Sequence, residues 1–168
     1  MKRPTIAILL VLAASIASAG GAWKTFNSPD GSFSIAFPAT PMVKRVVQTM
    51  KGMQLPTEIA AIGSADRAYM AVRMDYSKIP QLHGRENDVL DFGVAGFSKN
   101  KGYQIYSQDS FQIGNNPGRH VVLRKGPAEQ QVYVVCKNDQ AIMIIVAAKP
   151  GQSDDQEARK FISSFQLR

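Results

Sequence analysis

Apolar and polar residues alternate with period two through most of residues 23–148, and with period 3.6 in two stretches, and these two rhythms divide the chain into strands and helices. Phe33, Ile35 and Phe37 alternate with Ser32, Ser34 and Ala36, which predicts a strand with one strongly apolar face after a short first strand at Trp23 to Asn27. Ser28-Pro29-Asp30-Gly31 between them places proline and glycine as a type I turn would want them. Pro38 and Pro41 end the second strand, and Val43 to Met50 and Leu55 to Ile62 read as a hairpin around Lys51-Gly52. Ala68, Met70, Val72, Met74 and Tyr76 give the clearest alternating strand.

Between Glu86 and Lys101 the period changes. Val89, Gly93 and Phe97 fall at i, i+4 and i+8, with Leu90 and Val94 widening the stripe. Glu86, Asp88 and Asp91 at the start and Lys99 and Lys101 at the end suit the helix dipole, and Gly102 supplies a stop. Strands are then expected at Tyr103 to Ile113, His120 to Arg124, Gln131 to Lys137 and Gln140 to Ala148, the last two joined by a tight turn at Asn138-Asp139. Those two strands are apolar on both faces, which belongs in the middle of a covered sheet. A last helix follows: Ser153 is placed to cap it with Gln156 three residues on, and Ala158, Phe161, Ile162 and Phe165 form its apolar stripe. One helix available to each face of an antiparallel sheet predicts an α+β fold, a three-layer α/β/α sandwich.

The first residues have a different build. Lys2 and Arg3 precede an apolar run from Ile6 to Ile16, then Ala17-Ser18-Ala19-Gly20, the pattern of a secretory signal peptide cut after an A-x-A site. The organisation expected is a signal peptide over 1–19, with a later end at 22 as the other reading, and a single domain over 20–168. Retention as a membrane anchor is the rival, since Thr5 to Trp23 carries no charge, but its second half is Ala, Ser and Gly, which insert weakly. The product is therefore expected to be periplasmic or secreted, touching a membrane only if the segment is kept. Gly20 stands where a lipoprotein would need cysteine, so lipidation is not expected.

The formal charge is +7; loss of Lys2 and Arg3 leaves 18 basic against 13 acidic residues, a balance of +5. The basic residues are scattered and not interleaved with stacking aromatics, which argues against nucleic acid as a partner. Cys136 is the single cysteine, so no disulfide forms within the chain, and its apolar run reads as a buried position, with pairing to another chain as the alternative.

No motif for catalysis, a cofactor or a metal stands out, and no residue is assigned a catalytic, cofactor-binding or metal-ligating role. His83 and His120 lack ligand spacing, there is no G-x-S-x-G elbow, and Glu86, Asp88 and Asp91 do not match a calcium loop. Gly114-Asn115-Asn116-Pro117-Gly118 reads as a turn between strands, because no helix follows it as a phosphate cradle would need. Met42, Met50, Met53, Met70 and Met74 read as core filling, with copper binding the weaker alternative.

The run Trp23-Lys24-Thr25-Phe26-Asn27-Ser28-Pro29-Asp30-Gly31-Ser32-Phe33-Ser34-Ile35-Ala36-Phe37-Pro38 resembles the start of exported bacterial proteins of the PsbP-like group. So do Ile113-Gly114-Asn115-Asn116-Pro117-Gly118-Arg119 and the closing Phe161-Ile162-Ser163-Ser164-Phe165. The resemblance implies an antiparallel sheet between helices, a fold shared with a photosystem II extrinsic subunit and a Ran-binding import factor. It also implies work by binding other macromolecules, with no active-site residue to carry over.

The expected function is thus an exported, non-enzymatic binding module of the cell envelope, docking on a protein or envelope component. Two alternatives stand beside it. One is an envelope hydrolase with an unrecognised site, whose cleft would gather polar residues such as Asp75, Tyr76, Arg119 and His120; the other is a small-ligand or metal carrier.

Overall fold

The computed structural model describes residues 22–50 and 52–168. The expected signal peptide over 1–19 lies outside the described residues, and so do the side chains of Phe97, Lys99 and Lys101. The strands are β1 (Lys24–Asn27), β2 (Phe33–Phe37), β3 (Met42–Met50), β4 (Met53–Gly63), β5 (Arg67–Asp75), β6 (Gln104–Ile113), β7 (Asn116–Lys125), β8 (Ala128–Lys137), β9 (Gln140–Ala148) and β10 (Gln166–Leu167). The helices are α1 (Glu86–Lys101) and α2 (Gln156–Ser163).

Seven strands form one antiparallel sheet in the order β3-β4-β5-β9-β8-β7-β6. The doubly apolar β9 lies at its centre with β8 beside it, because only a strand covered on both sides can bury both sets of side chains. Asn138 and Asp139 join them with φ of 49° and 57°, as a two-residue hairpin turn of the type I′ kind requires. At the chain's first turn Gly31 donates its N–H to Ser28 O at 2.8 Å, closing the predicted four-residue turn.

One face is covered by α1. Val89, Leu90 and Val94 bury against Met70, Val72, Val121, Val132 and Met143. Gly102, at φ 67°, ends the helix in the left-handed conformation that glycine adopts without strain. Arg119 fixes α1 to the sheet from β7: Nη2 donates to Asn87 Oδ1 at 3.1 Å and Nε lies 3.3 Å from Asp91 Oδ1.

The other face corrects the expected α/β/α sandwich. Among the described residues the chain is mostly strand, with two sheets and two short helices, and the layer opposite α1 is not mainly helical. It consists of a second sheet, β1-β2-β10, whose Phe33, Ile35 and Phe37 fill the space over Tyr69, Ala71, Ile142 and Val146. The physical reason is length. α2 has eight residues and fully buries only Ala158 and Phe161, with Ile162 partly buried beside them, so most of that face falls to the strand whose three apolar residues all point one way. Phe161 sits 5.1 Å from Phe37 and 5.0 Å from Tyr69 between ring centroids, an apolar contact contributing about 1.5–3 kcal/mol. The chain leaves α2 after Ser163; Phe165 packs 5.9 Å from Phe33, and Gln166–Leu167 pair with β2.

The start of α2 also differs from expectation. Asp155, not Ser153, is the cap, accepting from the Ala158 N–H at 3.0 Å. Arg67 of β5 clamps this turn, donating to Asp155, to Glu157 at 2.9 Å and to Tyr69 Oη at 3.1 Å. Ser153 is instead fully buried and donates to Glu129 Oε1, while Gln131 Nε2 donates to it at 3.4 Å.

Candidate functional site

The residues weighed for an enzymatic cleft do not form one cluster: Tyr76 and Arg119 both lie near Cys136 under α1, and His120 faces away from them. Arg119 and His120 are neighbours on β7 and therefore point to opposite faces. Arg119 is committed to α1, whereas His120 stacks on Tyr133 at 4.1 Å and contacts Gln131 Oε1 through Nε2 at 2.5 Å. Asp75 Oδ1 accepts from the Ser77 N–H at 2.9 Å, and Tyr76 is buried under α1. Cys136 lies beside it in the core, and burial pushes its thiol up to about 12, so it stays protonated and inert at neutral pH. Among the described residues no three of His, Cys, Asp and Glu gather as a metal site would need. His83 contacts Ser77 O at 2.9 Å. Met70 and Met74 are buried as expected, but Met42 is 48% exposed and is not core filling.

A polar cavity of about 340 Å³ is lined by Asp30, Ser32, Lys137, Gln140 and Arg168. Its acidic group is already engaged: Asp30 lies 3.0 Å from Arg73 Nη1 and accepts from Gln140 Nε2 at 2.9 Å and from Ser32 Oγ at 2.8 Å. Burial raises the Asp30 carboxyl, but the hydrogen bonds from Ser32, Gln140 and Ser28 outweigh it and hold it at about 2. This cluster ties the first turn to the large sheet.

The feature without a structural partner is the edge strand β3. Large hydrophobic side chains that are exposed among the described residues lie on the two edge strands, and Met42, Val43, Val46 and Val47 of β3 are each between 40% and 60% exposed. β3 pairs with β4 over nine consecutive residues without a bulge, and its other edge is unpaired among the described residues. Neither α1 nor the small sheet extends over it, so both of its faces are open.

In the first half of the strand stand Lys44 and Arg45, one on each face. Arg45 Nε donates to Glu58 Oε2 of β4 at 3.0 Å; the guanidinium is 71% exposed and the carboxylate 4%. Glu58 in turn stands opposite Arg73, so a charged row runs from the β3 edge through β4 and β5 to Asp30. Among the described residues Glu58 Oε1 and Arg73 Nε have no partner, which makes Arg45 the group that compensates this buried carboxylate.

Sequence reasoning missed this site because Val43, Val46 and Val47 look like core residues. A signal was present: a strand carrying a charge on each face at adjacent positions cannot bury either face there, and so belongs at an edge.

With the geometry established, comparison with solved structures is informative. The solution structure of a cyanobacterial PsbP from Synechocystis sp. PCC 6803 superposes with a TM-score of 0.60, covering 94% of this chain and 99% of that one at 9% identity. The fold is PsbP-like. At that identity the likeness is one of fold alone. A Pseudomonas aeruginosa protein of unknown function gives a TM-score of 0.43 at 10% identity, covering 82% of this chain and 90% of that one, and adds no argument. No protein-family model matches the chain, and a comparison with curated proteins gives no match. Among the described residues of this PsbP-like fold, no helix is long and apolar enough to cross a membrane.

Proposed function

We propose that this protein is an exported, non-enzymatic binding module of the cell envelope that docks on another macromolecule through the β3 edge. The observation carrying the reading is the coincidence of three properties in one strand: open apolar side chains on both faces, an unpaired and unbulged hydrogen-bonding edge, and a regular register. Monomeric proteins usually blunt such an edge with a bulge or a covering element, and β3 carries neither, which leaves it open as an interaction surface. The signal-peptide pattern of residues 1–20 supports the compartment, and the non-enzymatic reading is supported by the commitment of Arg119 to α1 and of His120 to Tyr133 on the opposite face.

The test is site-specific photocrosslinking in cells, with the crosslinker at Val47 on β3 and, separately, at Gln108 on β6. A discrete adduct from position 47, absent from position 108, is the expected result. Equal labelling from both positions, or none from 47, contradicts the reading.

A further inference from the structure

The order of side chains on β3 specifies what lies against it. Met42-Val43-Lys44-Arg45-Val46-Val47 reads apolar, apolar, basic, basic, apolar, apolar, and successive residues point to opposite faces, so each face presents two apolar side chains flanking one cation. From Gly31 to Thr57 the chain has no acidic residue, while Lys44, Arg45 and Lys51 fall within the hairpin sequence. The nearest carboxylate, Glu58, is buried and already shared with Arg45.

A second copy of the chain fits this edge poorly. An antiparallel pairing of β3 with itself that sets apolar pairs against apolar pairs is centred between residues 44 and 45. It places Lys44 of one copy directly opposite Arg45 of the other, twice, and like charges directly opposite destabilise a strand pair. The same two cations that guard against self-pairing attract a strand of opposite charge.

We infer that the β3 edge takes an extended polypeptide segment of another protein as an eighth strand, one whose core reads apolar, apolar, acidic, acidic, apolar, apolar. This rests on the docking role of β3 proposed above and gives the partner its chemistry. Main-chain hydrogen bonds to the free edge supply affinity, the two carboxylates meet Lys44 and Arg45 on opposite faces, and the apolar pairs cover Met42, Val43, Val46 and Val47. Because the pattern is the same read in either direction, parallel and antiparallel additions place the charges equally.

The experiment measures binding of a labelled peptide, Ser-Thr-Val-Ile-Glu-Glu-Val-Ile-Thr-Ser, by fluorescence anisotropy on the folded protein, with sedimentation velocity on the same samples. Binding is expected to weaken at least tenfold for the peptide with Lys-Lys in place of Glu-Glu, to weaken similarly in Lys44→Glu, to fall with added salt, and to vanish when alternate peptide amides are N-methylated. Lys44 is exposed, and circular dichroism checks that the variant is folded. Equal affinity for the acidic and basic peptides, or insensitivity to N-methylation, overturns the inference, as does self-association that occludes the edge. If the acidic peptide does not bind while Val47 still crosslinks a discrete partner in cells, the strand chemistry is refuted and the docking role survives. If both fail, both are refuted.

Discussion

β3 and β6 close the two ends of one seven-stranded sheet, and they are finished differently. β6 breaks register with β7 between Ile105 and Ser107, the kind of bulge that blunts an edge. Its most exposed aromatic, Tyr106, lies under the Arg124 guanidinium, 3.5 Å from the ring centroid. Further along, the outer end of the Phe111 ring lies over Gly118, where a Cβ would come 2.5 Å from Cζ. β3 has none of this: nine regular pairs, four exposed apolar side chains and an adjacent pair of cations. The difference teaches that exposed apolar residues in this fold are not uniform leftovers. β6 interrupts its edge with a bulge and a ring stacked by a cation, although Ile105 and Tyr106 stay exposed, whereas the β3 edge runs on without interruption.

The largest effect expected from breaking this comparison comes from Arg45→Ala. It strips the partner from the buried Glu58 carboxylate and should lower unfolding stability by up to about 3 kcal/mol. Lys44→Ala, one residue away on the other face, should stay within about 0.5 kcal/mol. Urea unfolding of both variants checks this, and equal small losses would mean that Arg45 serves only the edge. Gly118→Val should cost about 1–2 kcal/mol, because Phe111 must swing off β7 and away from Tyr133, and faster amide exchange should be confined to β6.

How much of this was legible in the sequence depends on the range of the interaction that decides each element. Val132 to Cys136 and Ile142 to Ala147 announce a central position by themselves, since two apolar faces demand two covers. α1, its Gly102 stop and the Asn138-Asp139 turn are equally local. The small sheet was not legible: Phe33, Ile35 and Phe37 alternate in the same way whether they belong to the main sheet or to a layer above it, and the partner that decides is β10, more than a hundred residues away. Ser153 misled for a similar reason, because its cap-like spacing to Gln156 says nothing of the buried Glu129 that claims its hydroxyl. The candidate site was half visible, in the Lys44-Arg45 pair, while its openness depends on where α1 and β2 end.

Acid sharpens the comparison along the charged row that starts on β3. Asp30 is held at about 2 against an ordinary 3.8, so the stability it confers is complete above pH ~4 and is lost as pH falls through 2. Allowing for its partial exposure this amounts to about 1 kcal/mol, and Asp30→Asn should flatten that part of a pH series of urea midpoints. Asp155 and Glu129 are also held below their ordinary values. For each, burial acts the other way and is outweighed, by hydrogen bonds from the Ala158 N–H and Arg67 to Asp155 and from Ser153 and Arg124 to Glu129, so they add to the same acid limb. The smallest effect belongs to Tyr106→Ala at the bulged edge, where loss of an exposed ring under Arg124 should cost about 0.5 kcal/mol and leave peptide binding unchanged.

Amide hydrogen exchange, read by mass spectrometry with and without the acidic ten-residue peptide, tests the contrast between the edges most directly. Added protection confined to Met42–Met50, with Gln104–Ile113 unchanged, is the predicted result. Protection that appears on β6, or a β3 whose exchange is indifferent to the peptide while another surface slows, would contradict it.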